Sequence, residues 1–152
     1  MSEQRPHTTV ATVVEQEGRL LMVKEHADGA LVYNQPAGHL EIGETLIEAA
    51  VRETLEETGW QVTITALLGI YQYRSERNGI TYVRVCFIGK PEAELVNSEL
   101  DPAIAEALWL TPAEIERIIE QQSGAMRSPL VLAAIRDFQA GKSYPLSILS
   151  NF

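Results

Sequence analysis

Between Gly38 and Trp60 the chain reads GHLEIGETLIEAAVRETLEETGW, and no other stretch limits the fold as much. Six carboxylates fall in these twenty-three residues, yet the apolar positions recur at helical spacing, so this is no disordered acidic run. Thr45 followed three residues on by Glu48 is a capping-box start, and Gly59 stands where helices end in the left-handed region, which predicts a helix over 46–58. At about 100° per residue, Ile47, Ala50, Val51 and Leu55 share one side with Thr54 and Thr58, while Glu53, Glu56 and Glu57 fit an arc of about 100° on the other. Arg52 lies one turn before Glu56, within reach of an i,i+4 pair. Like charges on one arc repel unless something neutralises them. A solvated acidic face is the ordinary reading; a hard divalent cation accounts for more, because Mg²⁺ binds a few carboxylates while keeping waters and phosphate oxygens in its shell. Glu44, at the end of the preceding loop, is placed to point back at the same ion, and Gly38 and Gly43 let that loop turn tightly.

Gly38, Glu44, Arg52-Glu53, Glu56-Glu57 and Gly59, at these spacings, resemble the signature box of the Nudix hydrolases in all seven fixed positions. A chance match in a chain of this length is on the order of one in a million. Thr54 and Trp60 stand where the family usually has aliphatic residues, a departure that concerns packing beneath the helix. The resemblance implies the Nudix fold and hydrolysis of a diphosphate linkage in a nucleoside diphosphate joined to another group, with Mg²⁺ as cofactor and Mn²⁺ as the alternative ion. It implies Glu53 and Glu57 as metal ligands, Glu56 as a further ligand or the base that takes a proton from water, and Glu44 as the alternative base. Arg52 would orient Glu56, and the Gly38 backbone would approach the metal shell. Some relatives add a ligand from a later loop; Glu99, Asp101 and Glu106 are the candidates, each against a solvated-surface reading.

Three further stretches, NQPAGHLE (34–41), RSPLV (127–131) and SYPL (143–146), are similar to the NudJ-like phosphatases within the family. That similarity implies release of orthophosphate from nucleoside tri- and diphosphates, hydroxymethylpyrimidine diphosphate and thiamine diphosphate. Tyr33, Tyr71 and Tyr73 would then stack on a base, Asn34 and Gln35 would bond its edge, and Arg74, Arg84 and Arg127 would meet phosphate oxygens. His39 lies beside the metal loop, while His7 and His26 read as surface residues. Core packing and solvated charge are the alternatives at each position. Cleavage of ADP-ribose or a dinucleotide is the competing activity, and a non-catalytic binding domain is disfavoured by the presence of all four box glutamates.

The rest of the chain predicts one α/β domain over 1–152, with a mixed β-sheet sandwiched between helices. Its 152 residues, 45% of them hydrophobic, suffice for a full core. Strands are predicted over 8–14 and 19–24, joined at Gly18, then over 31–33, over 61–73 as one strand or two short ones, and over 80–88 and 105–110, with turns at 26–29 and 75–79 and a loop over 90–102. Helices are predicted from Thr111, capped by Glu114, to about 122, and from Ser128 to about 140. On the strand at 80–88, Tyr82, Arg84, Cys86 and Ile88 share a face opposite Val83, Val85 and Phe87. Cys86 is the only cysteine, so no internal disulfide forms, and it reads as a buried small hydrophobe. A formal charge of −9 argues against a nucleic-acid polymer and leaves room for a small phosphorylated substrate held through metal ions. The polar start and the absence of any run of about 18 apolar residues predict a cytoplasmic protein without membrane contact, as a monomer or small homo-oligomer.

Overall fold

A computed structural model describes residues 5–95 and 98–152. Two tight turns shape its beginning. β1 (His7–Gln16) joins β2 (Arg19–Ala27) at Glu17-Gly18, with φ of 51° and 77°, and β2 joins β3 (Ala30–Asn34) at Asp28-Gly29, with φ of 49° and 79°. Two successive positive φ values give a turn whose twist matches the flanking strands. Because Asp28-Gly29 suffices for the second turn, His26 and Ala27, expected in the turn, extend β2 instead.

β1 and β2 pair only beside their turn, through Glu15–Leu20 and Gln16–Arg19. Beyond it they part. β1 runs parallel to β6 (Thr81–Glu94) and antiparallel to the short β4 (Ala37–His39), while β2 pairs antiparallel with β7 (Ile104–Leu110). β5 (Trp60–Arg74) completes the order β3-β2-β1-β6-β5 in a mixed, seven-stranded sheet. β6 exceeds its predicted length: 90–94 continue the strand, with Trp60 opposite Glu94. Pro91, which has no N–H to give a ladder, is accommodated where the register shifts between Gln61 and Val62.

α1 (Leu46–Thr58) carries the predicted capping box in both directions and ends at Gly59, φ 77°. α2 (Pro112–Gln121) has half of one: the Thr111 hydroxyl accepts from the Glu114 N–H, but the Glu114 carboxylate turns to Arg19 at 3.5 Å. α3 (Pro129–Gln139) starts at Ser128, and the chain turns at Gly141, φ 77°. The two faces of β6 enter different cores. Val85 and Phe87 pack with Val10, Val14 and Leu21 under Ala49 and Ala50 of α1; Cys86 packs with Ala11, Val13, Leu20 and Met22 under Ile115 of α2 and Val131, Ala134 and Ile135 of α3. The sheet is therefore covered by helices on both sides. The tail exchanges two backbone hydrogen bonds with β5, between Tyr144 and Leu67, and lays Leu146 and Leu149 on the α1 side. No described helix is long and apolar enough to cross a membrane.

Both departures beneath α1 are accommodated. Thr54 is fully buried and its hydroxyl donates to the Ala50 carbonyl (2.7 Å), with the Thr12 hydroxyl at 3.2 Å, so no polar atom is stranded. The Trp60 ring meets Trp109 edge to face with centroids 5.4 Å apart.

Candidate active site

The gap between β1 and β2 is where β4 lies, and β4 delivers the backbone of Ala37 and Gly38 onto the acidic face of α1. The Ala37 N–H donates to Glu57 Oε1 at 2.8 Å. Gly38 leaves no room for a side chain, since a Cβ built there would collide with the Glu53 carboxylate. Glu57 is only 6% exposed, and burial pushes its carboxyl up to about 9, the Ala37 N–H opposing the rise and Glu25, Glu53 and Asp101 adding to it. Burial likewise raises Glu53, against the pull of Arg52.

Arg52 stands among these carboxylates, but its main partner is not the predicted Glu56. Its Nε and Nη2 fork Glu44 at 2.9 and 2.7 Å, Nη1 donates to Glu53 at 2.8 Å, and Glu56 and Glu41 are more distant at 3.3 and 3.5 Å. Nη2 also donates to the His39 carbonyl. The local spacing favoured Glu56; the loop from Gly38 folds back and brings Glu44, eight residues earlier, into better fork geometry. The Arg52 bond holds the Glu44 carboxyl below its usual range, and Glu44 also accepts the Glu41 N–H. Glu56 is much freer, its side chain 48% exposed against 13% for Glu44.

Among the described residues, no three histidine, cysteine, aspartate or glutamate side chains converge into a ready-made cation cage. The donor set still fits a hard divalent ion. Glu53 and Glu57 offer carboxylate oxygens, both largely buried, and it is chiefly burial that raises the pKa of each, a cost that a bound cation would offset. The Asp101 charge adds a smaller part to the rise of both, and its N–H donates to the Glu56 carbonyl at 2.9 Å, tying the later loop to α1. Glu99 and Glu106 are exposed, and Glu106 sits opposite Lys24 in the sheet.

Beside Ala37 and Gly38 opens a cleft of about 550 Å³, walled by His39, Tyr73, Tyr82, Asn34, Arg84 and Arg127, with Ser128 at the start of α3 and Glu25 from β2. Asp28 and Arg77, at the tips of two hairpins, form an ion pair at its mouth. Of the predicted contacts, Asn34, Gly38, His39, Tyr73, Arg84 and Arg127 line this cleft; Tyr33, Gln35 and Tyr71 do not. Tyr33 packs against the α3-side core, with the Lys24 ammonium 5.4 Å from its ring centroid. Tyr71 does share a face with Tyr73, but α3 covers it: its hydroxyl donates to Asp137 at 2.7 Å. Gln35 is 1% exposed and bonds inward. Arg74 is exposed and outside the cleft. His7, expected on the surface, is half-buried with Nδ1 3.0 Å from His39 Nε2, and burial together with His7 lowers the His39 pKa.

Glu25, which no sequence pattern marks, accepts from Asn34 Nδ2 at 3.2 Å and lies 3.9 Å from Arg127. The β2–β3 hairpin sets it beside Asn34 and the distant β7 pairs on its other side, and no residue pattern distinguishes it from an ordinary surface glutamate of a strand. Tyr82 was not among the expected contacts either; alternation puts it on the Arg84 face, and that shared face is the sequence signal for its place in the wall.

The family model for the NUDIX domain matches residues 4–130. Over 148 residues the chain is 38% identical to phosphatase NudJ of Escherichia coli (strain K12), covering 97% of this chain and 93% of that protein. A solved NUDIX hydrolase from Nitrosomonas europaea shares 42% identity at a TM-score of 0.90, covering 97% of this chain and 98% of that one. A bifunctional NMN adenylyltransferase/ADP ribose pyrophosphatase from Francisella tularensis, complexed with AMP and a Mn ion, shares the fold at 20% identity and a TM-score of 0.66, over 93% of this chain and 43% of that one.

Proposed function

Because this chain belongs to the NUDIX family of hydrolases, we propose that it is a Mg²⁺-dependent phosphatase that releases orthophosphate from small phosphorylated substrates: nucleoside tri- and diphosphates and pyrimidine diphosphates of the thiamine type. The observation that carries this reading is a juxtaposition. The buried carboxylates Glu53 and Glu57 meet, at the Ala37–Gly38 backbone, a cleft whose walls hold Arg84 and Arg127 and the rings of Tyr73 and Tyr82. Similarity to NudJ over nearly the whole chain supports the phosphatase direction.

Glu53 and Glu57 would hold the cation, which when bound supplies charge stabilisation at phosphate oxygens and an acidified water. Glu56, half-exposed and weakly held, is the carboxylate that takes the proton from the attacking water. Glu44 serves instead through Arg52, whose fork also fixes Glu53 beneath Gly38. In the cleft, Arg84 and Arg127 meet phosphate oxygens, Tyr73 and Tyr82 pack on the base, and Asn34 stands at its edge. Water attacks the terminal phosphorus, the anhydride bond to the bridging oxygen breaks, and orthophosphate leaves.

Incubation with Mg²⁺ and a panel of nucleotides and thiamine-type diphosphates, with products followed by phosphorus NMR, tests this. Orthophosphate should appear and require the metal. Nucleoside monophosphate with pyrophosphate or a sugar phosphate, or no turnover on the panel, would refute the proposal.

A further inference from the structure

Arg84 forms part of the cleft wall but is only 4% exposed, and its close partners are amides. Nη1 donates to Gln35 Oε1 at 3.1 Å and Nη2 to Asn34 Oδ1 at 2.8 Å. Among the described residues, no carboxylate lies within ion-pair distance of it. Glu25 and Glu57 act on it only from beyond that distance, and a buried guanidinium whose hydrogen bonds go to neutral acceptors is poorly compensated until an anion arrives.

Gln35 is buried behind this group and does not reach the cleft. Its Nε2 donates to the Val131 carbonyl, in the first turn of α3, at 2.8 Å. Both ends of the amide are thus engaged, and a flip would set its NH₂ against the Arg84 donors and its oxygen against a carbonyl. The backbone is anchored one residue on, where the Thr12 N–H donates to the Pro36 carbonyl at 3.1 Å. Arg127 and Ser128, just ahead of the α3 turn that Gln35 grips, also line the cleft. One buried amide therefore links the guanidinium in the wall to the helix start beside it.

We propose that Gln35 is a positioning residue for the substrate: without touching it, Gln35 locks the Arg84 fork against the first turn of α3, so that Arg84 meets an anionic oxygen of the bound phosphate compound in one orientation. This rests on the phosphatase reading above. Arg84 contacts the ligand, Gln35 sets the angle, and Asn34 holds the second nitrogen while passing its own amide hydrogen to Glu25.

The test is a double-mutant cycle with Gln35→Met and Arg84→Lys, reading KM and kcat for the best substrate of the panel, Kd for α,β-methylene-ADP with Mg²⁺, and Tm. Gln35→Met should raise KM and Kd about tenfold, equivalent to about 1.4 kcal/mol, with kcat falling less than about threefold. Arg84→Lys keeps the charge but loses the fork, and should weaken binding by at least as much. On the Arg84→Lys background, Gln35→Met should add less than about twofold. A purely structural Gln35 would lower Tm and active fraction with KM unchanged, or would act additively with Arg84→Lys, and either result overturns the inference alone. Should Gln35→Met not fold, Arg84→Lys decides: unchanged Kd means orientation is irrelevant. A wild type that neither binds the analogue nor turns over the panel overturns both this and the phosphatase reading.

Discussion

Replacing Gly38 with alanine should disable the site without unfolding the chain. A Cβ at this position would fall 2.5 Å from Glu53 Oε2, and nearer still to Cδ, where real Cβ atoms essentially never come within 3.0 Å. The Gly38 backbone is not in the left-handed region and pairs with Val10 across β1–β4, so alanine itself can be housed there. What must give is the Glu53 carboxylate, the free end of a flexible side chain, which has to move by more than about 1 Å to regain ordinary contact at 3.4 Å. Moving it disturbs the 2.8 Å bond from Arg52, a partly solvated pair worth about 1 kcal/mol or less. A misplacement of about 1 Å in a catalytic group costs on the order of 10²-fold, about 2.7 kcal/mol of barrier. The assay is phosphate release with Mg²⁺ on the best substrate of the panel, with thermal melts alongside. Gly38→Ala should lose about a hundredfold in kcat/KM while Tm moves by only a few degrees. Gly18→Ala is the control: φ is +77° in open space, so it should cost about 1 kcal/mol in stability and leave kcat/KM within about twofold. Gly38→Ala activity within about threefold of wild type would refute the placement of Glu53, and a collapse of the fold would refute its assignment to the flexible side-chain end.

Glu57→Gln should abolish most activity yet stabilise the metal-free protein at alkaline pH. Burial holds Glu57 at about 9, so between about 4.5 and 9 the folded protein keeps a proton that the unfolded chain releases, and stability falls as pH rises through that window. Melts of the metal-free wild type should show that decline and the variant a weaker one; equal slopes would contradict the burial argument. Mn²⁺ at pH 8 should raise the Tm of wild type by mass action and leave that of Glu57→Gln nearly unmoved, as read by thermal shift. Tyr71→Phe should cost about 1 kcal/mol through the lost Asp137 bond and keep KM within about twofold, whereas Tyr73→Ala should raise KM severalfold; steady-state kinetics of the pair separates a covered tyrosine from one in the cleft wall. Arg52→Lys cannot fork Glu44 and should reduce kcat by tenfold or more with little change in KM, an outcome that unchanged kcat would exclude.

What was legible in the sequence was local. Thr45, Glu48 and Gly59 mark the ends of α1 because caps are satisfied within a few residues, and the two faces of β6 follow from strict alternation. β4 was invisible: three residues form a strand only because β1 lies alongside. The continuation of β6 through Pro91 depends on a register shift in its partner, which no property of residues 90–94 announces. Within the site, Glu53, Glu56 and Glu57 are gathered by helical periodicity and Arg52 does make its i,i+4 contact with Glu56, but the folded loop brings Glu44 into the shorter, two-point contact. Asn34 and Gln35 are neighbours of similar chemistry, and the strand end sends one into the cleft wall and the other into the interior against α3. Tyr71 and Tyr73 were correctly placed on one face, but which of them α3 would cover is decided by packing far away in the chain.

Central to this account is a divalent ion carried by the acidic face of α1 beside the Gly38 backbone. Anomalous scattering from a Mn²⁺-soaked crystal locates that ion directly. A peak at ligand distance, about 2.1–2.2 Å, from carboxylate oxygens of Glu53 and Glu57 is the expected result. A peak on other residues, with both carboxylates unengaged at saturating Mn²⁺, would contradict it.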